Sequence, residues 1–210
     1  MSTPRLAAVH VGGPPEAWTA LGFTVDRHDA IALANGSLVT GSPGGLSVDP
    51  AGAQLALPGD IEGVPLAFGT PGPAAIHRNG ARQLDHLVLI TDSLERTSAA
   101  VAERLGLAQR RAREVGEGDR QVRQAFHRFA PAEDGTRGCI VEIVESARTK
   151  GPTALFGVVV IVDDLATVCA TLGPDLIGSP KPAVQPGRSI ATVRRSAGLG
   201  APVALMTPDL

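Results

Sequence analysis

Aromatic residues are scarce in this chain: they make up 3% of its 210 residues, and tyrosine is absent. Hydrophobic residues still reach 43%, so a buried core must be built mainly from Val, Leu, Ile and Ala. The longest apolar run, Ala154 to Val162, is far short of the ~20 residues that cross a bilayer. The length and composition therefore predict one large or two small globular domains and no membrane segment.

Charge and cysteine are also sparse. Charged residues are 19% of the chain and the net charge is -2, which gives no reason to expect binding to nucleic acid or a membrane surface. The basic tract 110–113 is interpreted as a solvated face or an anion contact. Cys139 and Cys169 each lie in an apolar segment, without the spacing of a metal site or a disulfide framework. Because the N-terminus also lacks a signal-peptide pattern, we expect a cytoplasmic protein with reduced thiols.

The most informative stretch runs from residue 84 to residue 145. It opens with an apolar strand pattern that carries His86, and it closes with a second apolar strand that carries Glu142. Between them, Asp92 and Glu95 have the spacing of a capping box, which predicts the start of a helix. The apolar side of that helix follows steps of four, three and four through Leu94, Ser98, Val101 and Leu105.

The order of strand, helix ending in Leu-Gly, and about three further strands occurs three times. Its helix ends are Leu21-Gly22, Leu105-Gly106 and Leu172-Gly173. Such repetition predicts an α+β fold of βαβββ modules, because one module cannot cover its own sheet and must pair with a copy. The predicted parts are a partial N-terminal module (1–68), a linker (69–83) and a two-module domain (84–208, with modules 84–146 and 154–208).

The N-terminal module is the least regular of the three. Its predicted strands lie at 5–12, 23–25, 30–33, 37–40 and 61–68, and its helix begins near Pro14. An unpaired half-sheet would leave an apolar face uncovered. We therefore expect this module to cover the other two or to pair with its copy in a homodimer.

A βαβββ unit with His in its first strand and Glu in its last resembles the vicinal-oxygen-chelate superfamily, which includes glyoxalase I, extradiol dioxygenases and bleomycin-resistance proteins. The resemblance rests on Leu-Asp-His-Leu-Val-Leu-Ile-Thr-Asp-Ser-Leu-Glu from residue 84 and Val-Glu-Ile-Val-Glu from residue 141. It covers 84–208 well and 5–68 weakly. It implies that two modules pair into an open curved-sheet cup. It also implies a divalent metal in the cup, with ligands from the first and last strands of each module.

Carried over to this chain, the resemblance makes His86 and Glu142 the metal ligands or the catalytic pair. The aligned positions of the third module hold Gly157 and Ala204, which cannot ligate. Two ligands fall short of the three that a tight zinc site or an iron facial triad requires. The residues that could supply a third ligand are Glu145, His127 and His10.

Polar residues near the pair suggest how a ligand is held. Gln124 and Arg128 share one face of a predicted strand, and Arg113 belongs to the strand beside it. If that face is concave, these residues would bind a substrate carboxylate, for which a guanidinium fork is suited. The alternative is an exposed sheet edge. Arg188 follows Gln-Pro-Gly and would belong either to a lid loop that reads an anion or to a simple hairpin turn.

Two classes of function remain open at this point. The first is a glyoxalase-like protein that holds a small organic molecule in its cup, by sequestration or with metal-free acid–base chemistry at His86 and Glu142. The second is a lyase, isomerase or dioxygenase of the vicinal-oxygen-chelate type that depends on Zn, Ni, Fe or Mn. The shortage of ligands favours the first class, for which no cofactor is expected.

Overall fold

Two curved β-sheets joined by one hydrophobic core form the protein, which confirms the predicted α+β class with repeated modules. The computed structural model describes residues 2–42, 44–51, 59–117 and 121–209. Within these ranges the first sheet takes its strands from residues 5–68 and the second from residues 81–206.

The first sheet is built around two antiparallel neighbours, β1 and β4. Its strands are β1 (Arg5–His10), β2 (Ala30–Leu33), β3 (Gly36–Val39), β4 (Gly45–Asp49), β5 (Gly59–Ile61) and β6 (Val64–Phe68), with helix α1 at Pro15–Ala20. Strand β3 runs parallel to β1, and β6 runs parallel to β4. The row Ser37, Ala8, Ser47, Ala67 crosses four of these strands and carries only small side chains.

The N-terminal strands differ in part from the sequence prediction. Strand β4 was not predicted, and the predicted strand 61–68 is divided by a turn at Glu62–Gly63. The predicted strand at 23–25 does not form. There, Phe23 enters the core and the backbone N–H of Thr24 donates to Nδ1 of His77 at 3.0 Å, so a side chain takes the place of a neighbouring strand.

The second sheet has the order β12-β13-β14-β11-β7-β10-β9-β8. Its first half consists of β7 (Ala81–Thr91), α2 (Leu94–Leu105), β8 (Arg111–Val115), β9 (Val122–Arg128) and β10 (Ile140–Ser146). Its second half consists of β11 (Ala154–Val162), α3 (Leu165–Leu172), β12 (Lys181–Pro182), β13 (Ser189–Thr192) and β14 (Val203–Met206). The halves meet where β7 and β11 pair antiparallel, so two modules share one sheet as predicted.

Helix α2 shows how local sequence sets these boundaries. Ser93, and not Asp92, is the N-cap: its hydroxyl accepts from the N–H of Arg96, while Asp92 pairs with the Arg96 guanidinium. The helix ends at Gly106, which adopts the left-handed conformation that favours glycine. Between these ends, Leu94, Val101 and Leu105 are buried against the sheet.

The two sheets are fastened to each other within one chain. The amide of Asn35 bonds the backbone of Leu84 in both directions at 2.8 Å, which ties the turn between β2 and β3 to β7. At the other end, a Cβ on Gly200 would lie 2.3 Å from the nitrogen of Gly13, so the backbones touch there. Since the apolar face of the first sheet is buried in the shared core, it does not require a second copy to cover it. No helix in the described ranges has the length and hydropathy of a membrane span.

Candidate active site

Strand β7 carries its histidine in a β-bulge. His86 pairs with Val159 of β11 and Leu84 pairs with Val160, so Asp85 is an extra residue on β7. A bulge allows two consecutive side chains to lie on similar sides of a strand. The bulge has a signal in the sequence, because the buried positions Leu84 and Leu87 are three residues apart while Leu87 and Leu89 alternate normally.

The structure brings His86 and Glu142 together. Strand β10 lies parallel to β7, and Nε2 of His86 is 3.4 Å from Oε2 of Glu142. Nδ1 of the same ring is 2.7 Å from Oδ2 of Asp85. The imidazole therefore lies between two carboxylates, and each of the three side chains is less than 15% exposed (13% for His86, 11% for Asp85 and 12% for Glu142).

Gln124 and Arg113 hold Glu142 from the opposite side. The Nε of Arg113 donates to Oε1 of Gln124 at 2.6 Å, and Nε2 of Gln124 donates to Oε1 of Glu142. Because a guanidinium can only donate, it fixes the orientation of the Gln124 amide and turns the NH2 group toward the carboxylate. Arg113 also lies over the ring of Phe126, 5.2 Å from its centroid. Glu142 is thus held as a hydrogen-bond acceptor with its second oxygen free to face His86.

A cavity of about 800 Å³ opens in front of these residues. One wall, at β8 and β9, is polar and basic and carries Arg110, Arg111, Arg113 and Arg128, while a fifth cation, Lys181, borders the cavity from β12, where it pairs with Ile190. In the described part of the chain, none of these five forms an ion pair. The opposite wall includes Ile190, Met206 and Val184 and is mainly apolar. Such a cavity suits a ligand with a negatively charged part and an apolar part.

Arg188 lies away from this cavity. Its guanidinium donates to Oδ1 of Asp85 and to the carbonyl oxygen of Thr207, each at 2.9 Å, and its side chain is 5% exposed. It lines a smaller cavity of about 250 Å³ together with Asp85 and Arg128. The predicted lid loop does border the large cavity, but through Gln185 and Pro186.

Asp85 is a site residue that the sequence pattern did not predict. Burial alone raises the pKa of Asp85, but hydrogen bonds and charges from His86 and Arg188 outweigh burial and bring the pKa below its usual value. The carboxyl group is therefore an ionised acceptor between two donors. The bulge spacing could have revealed it, whereas its partner Arg188 lies 103 residues along the chain.

The three candidates for a third metal ligand are each engaged elsewhere. Oε2 of Glu145 accepts from the backbone N–H of Leu94 at the start of α2, on the other face of β10. The buried ring of His127 bonds the carbonyl of Leu107 at 2.6 Å and the hydroxyl of Ser98 at 2.9 Å. His10 belongs to the first sheet, where Nε2 lies 2.8 Å from Oγ of Ser47.

The donor set does not fit the chelate that the resemblance implies. The strand registers place Gly157 opposite Val88 and Ala204 opposite Val159, at the counterparts of His86 and Glu142. A Cβ on Gly157 would lie 2.2 Å from the carbonyl oxygen of Pro202, so no side chain fits there. Among the residues that the structure describes, no group of three or more His, Cys, Asp or Glu could hold a metal ion.

Solved structures with a similar fold are found over the whole chain. A triple mutant of 4-hydroxymandelate synthase from Streptomyces coelicolor superposes with a TM-score of 0.66 and 11% identity, covering 99% of this chain and 93% of that one. Methylmalonyl-CoA epimerase from Mycobacterium tuberculosis gives 0.50 and 13%, covering 65% and 94%. No family model and no curated protein matches the sequence. The likeness establishes the fold alone, which is the vicinal-oxygen-chelate fold.

Proposed function

We propose that this vicinal-oxygen-chelate fold binds a small organic anion in its C-terminal cup and moves a proton on it through Glu142 and His86, without a metal. The observation that supports the proposal most directly is the placement of Glu142. Its carboxylate is shielded from solvent, borders a cavity of about 800 Å³, and lies 3.4 Å from His86. A carboxylate and an imidazole this close, able to exchange a proton through a small movement or one water, are usual partners in acid–base chemistry.

The basic wall defines the charge of the ligand. Cations without a carboxylate partner are favourable beside a cavity only when an anion or water compensates them. Arg128 is partly buried, and burial lowers the pKa of its guanidinium, although an arginine remains charged in proteins. Its guanidinium forms no ion pair or hydrogen bond with the described residues, and the charge of Asp85 acts on it only from a distance. A ligand carboxylate placed there would leave the apolar remainder of the molecule against Ile190 and Met206.

The proton step follows from these positions. Glu142 accepts a proton from a carbon next to a carbonyl or carboxyl group, and the electron pair moves onto the adjacent oxygen. The arginines of the basic wall stabilise the negative charge that develops there. Glu142 can pass its proton to Nε2 of His86 and receive it again, after which the proton returns to carbon and the site is restored. These steps account for proton exchange or isomerisation of the ligand and need no external oxidant.

Hydrogen–deuterium exchange tests the proposal. The protein is incubated in D2O with small 2-oxo and 3-oxo acids and with uncharged esters of the same acids, and loss of the α-proton signal is followed by NMR. We expect exchange with some of the acids and none with the esters. Glu142→Gln should slow it by about 10²–10⁴-fold. Glu145→Gln, which alters a carboxylate of the same strand on the other face, should retain it.

Two results would overturn parts of the proposal. Tight binding of an acid without exchange would reduce the protein to a binding or sequestration function, and absence of binding to any acid would remove the anion assignment. The metal-dependent alternative predicts about one Zn, Ni, Fe or Mn per chain, lost in His86→Ala. Metal analysis of both proteins distinguishes it. The homodimer and the cytoplasmic location stay predictions, and the proposed site is complete within one chain.

A further inference from the structure

A second line of contacts leads from His86 away from the cavity. Nδ1 of His86 meets Oδ2 of Asp85 at 2.7 Å, and Oδ1 of Asp85 meets Nη1 of Arg188 at 2.9 Å. The Nε of Arg188 donates to the carbonyl oxygen of Thr207 at 2.9 Å. The three side chains are therefore linked in sequence from the cup to strand β14 and its C-terminal extension, behind the surface that a ligand would touch.

Donor and acceptor capacities set the proton positions along this line. Arg188 can only donate, so Oδ1 of Asp85 accepts. The ion pair with buried Arg188 favours the carboxylate form of Asp85, so Oδ2 accepts as well and Nδ1 of His86 carries the hydrogen between them. Nε2, which faces Glu142, is then the nitrogen available for proton exchange with it. The tautomer that the proposed chemistry requires is thus selected from the side opposite the cavity.

Arg188 also ends the loop that borders the cup. The loop joins β12 to β13, and the N–H of Ala183 donates to the carbonyl oxygen of Arg188 at 2.9 Å. Residues Ala183, Val184, Gln185 and Pro186 of this loop line the large cavity. The residue that holds Asp85 is therefore also the base of the loop that closes one side of the site.

We propose that Asp85 and Arg188 are positioning residues: Asp85 fixes the tautomer of His86, and Arg188 fixes which oxygen of Asp85 faces the ring. The effect of these two residues on catalysis rests on the proposed function. The position of the hydrogen on the His86 ring does not depend on it. Neither Asp85 nor Arg188 lines the large cavity. Their effect passes through the imidazole.

Nitrogen NMR of the histidine ring provides the decisive measurement. In the unaltered protein labelled with ¹⁵N-histidine, we expect neutral His86 to carry its hydrogen on Nδ1. In Asp85→Asn, Arg188 still binds the side-chain oxygen, so the new NH2 group faces Nδ1 and moves the ring hydrogen to Nε2. In the double variant Asp85→Asn with Arg188→Met the amide is free to turn, and both tautomers should appear.

Asp209→Asn is the matched control. Oδ1 of Asp209 lies 3.1 Å from Nη1 of Arg188, but the side chain is 53% exposed, and its ion pairs with described residues are those to Arg137 and Arg188. This control should leave the ring signals unchanged. If Asp85→Asn also leaves them unchanged, or if the unaltered protein carries its hydrogen on Nε2, the assignment is wrong. Should the double variant fail to fold, Asp85→Asn alone still decides, because an Asp85 that only stabilises the fold would not move the ring hydrogen.

Kinetics separate this inference from the proposed function. With an acid that undergoes exchange, Asp85→Asn should lower kcat by about 10-fold or more and leave KM nearly unchanged, as loss of an orienting partner does elsewhere. An equal rise in KM would contradict a positioning role. If no acid undergoes exchange while the NMR pattern appears as expected, the proposed function fails and the positioning of His86 stands.

Discussion

The two halves of the second sheet have the same architecture and opposite chemistry. In the half built on β7, the first and last strands carry His86 and Glu142, and in the half built on β11 the counterparts are Gly157 and Ala204. Hydrogen bonds link the first pair to Gln124 and Asp85, whereas Ala204 belongs to a small apolar cluster with Val159, Ile161 and Met206. One module therefore supplies the reactive groups of the site, and the other supplies an apolar surface.

Among these comparisons of the two halves, removing the imidazole of His86 should change the rate of deuterium exchange most. His86→Asn leaves Glu142 without its proton partner, and we expect deuterium exchange to fall by about 10²–10⁴-fold. Ala204→Ser at the apolar counterpart of Glu142 should change the rate by less than about 3-fold, since no proton moves there. NMR exchange rates for both variants make the comparison. Equal losses of exchange rate in the two variants would contradict the assignment of the reactive groups to the first half alone.

Adding a side chain at Gly157 should mainly affect stability. The new Cβ of Gly157→Ala would meet the Pro202 carbonyl, so we expect unfolding to become easier by about 1–3 kcal/mol or more. Gly178→Ala is the control, because its Cβ would meet only the carbonyl of Thr192, at 3.5 Å. Urea denaturation measures both. A Gly157→Ala protein as stable as the control would mean that the third module could accept a ligand residue.

Changes on the two walls should alter ligand binding in different ways. Arg128→Met removes an unpaired cation, and we expect the Kd of an organic anion to rise by about 10-fold or more, with a weaker dependence on salt. Ile190→Val removes one methylene, and the Kd should rise by less than about 10-fold at every salt concentration. Titration calorimetry at two ionic strengths distinguishes them. The same salt dependence in both variants would contradict the division into a basic and an apolar wall.

The smallest effect that we expect is a loss of folding stability at mildly acidic pH. Burial lowers the pKa of His127 beneath the first half, while its bond to the Leu107 carbonyl opposes this shift. The unfolded chain therefore takes up the proton first, and stability falls as the pH drops below about 6.5, the ordinary value of histidine, toward the lowered folded pKa. His127→Gln should flatten this part of the curve of unfolding free energy against pH. An unchanged slope would show that His127 is not responsible.

The sequence predicted the elements whose signals are local. Helix α2, the repeated Leu-Gly helix ends, and the placement of His86 and Glu142 in first and last strands follow from spacing alone. Strand β4 escaped because Gly-Leu-Ser-Val-Asp is short and gains its strand character from pairing with β1. Asp85 escaped because the spacing of Leu84 and Leu87 indicates a bulge but not what its extra residue does, and because its partner Arg188 is distant in the sequence.

The separation of the two walls has a consequence for how this cup could acquire new selectivity. Ile190, Met206 and Val184 border the cavity, and their side chains have no polar group that could join the hydrogen bonds from Arg113 to Arg188. Substrate scope and reactivity thus depend on different side chains, although Val184 and Ile190 flank Arg188 in the sequence. A combinatorial library confined to those three apolar positions would be expected to change which molecules enter while preserving what happens to them.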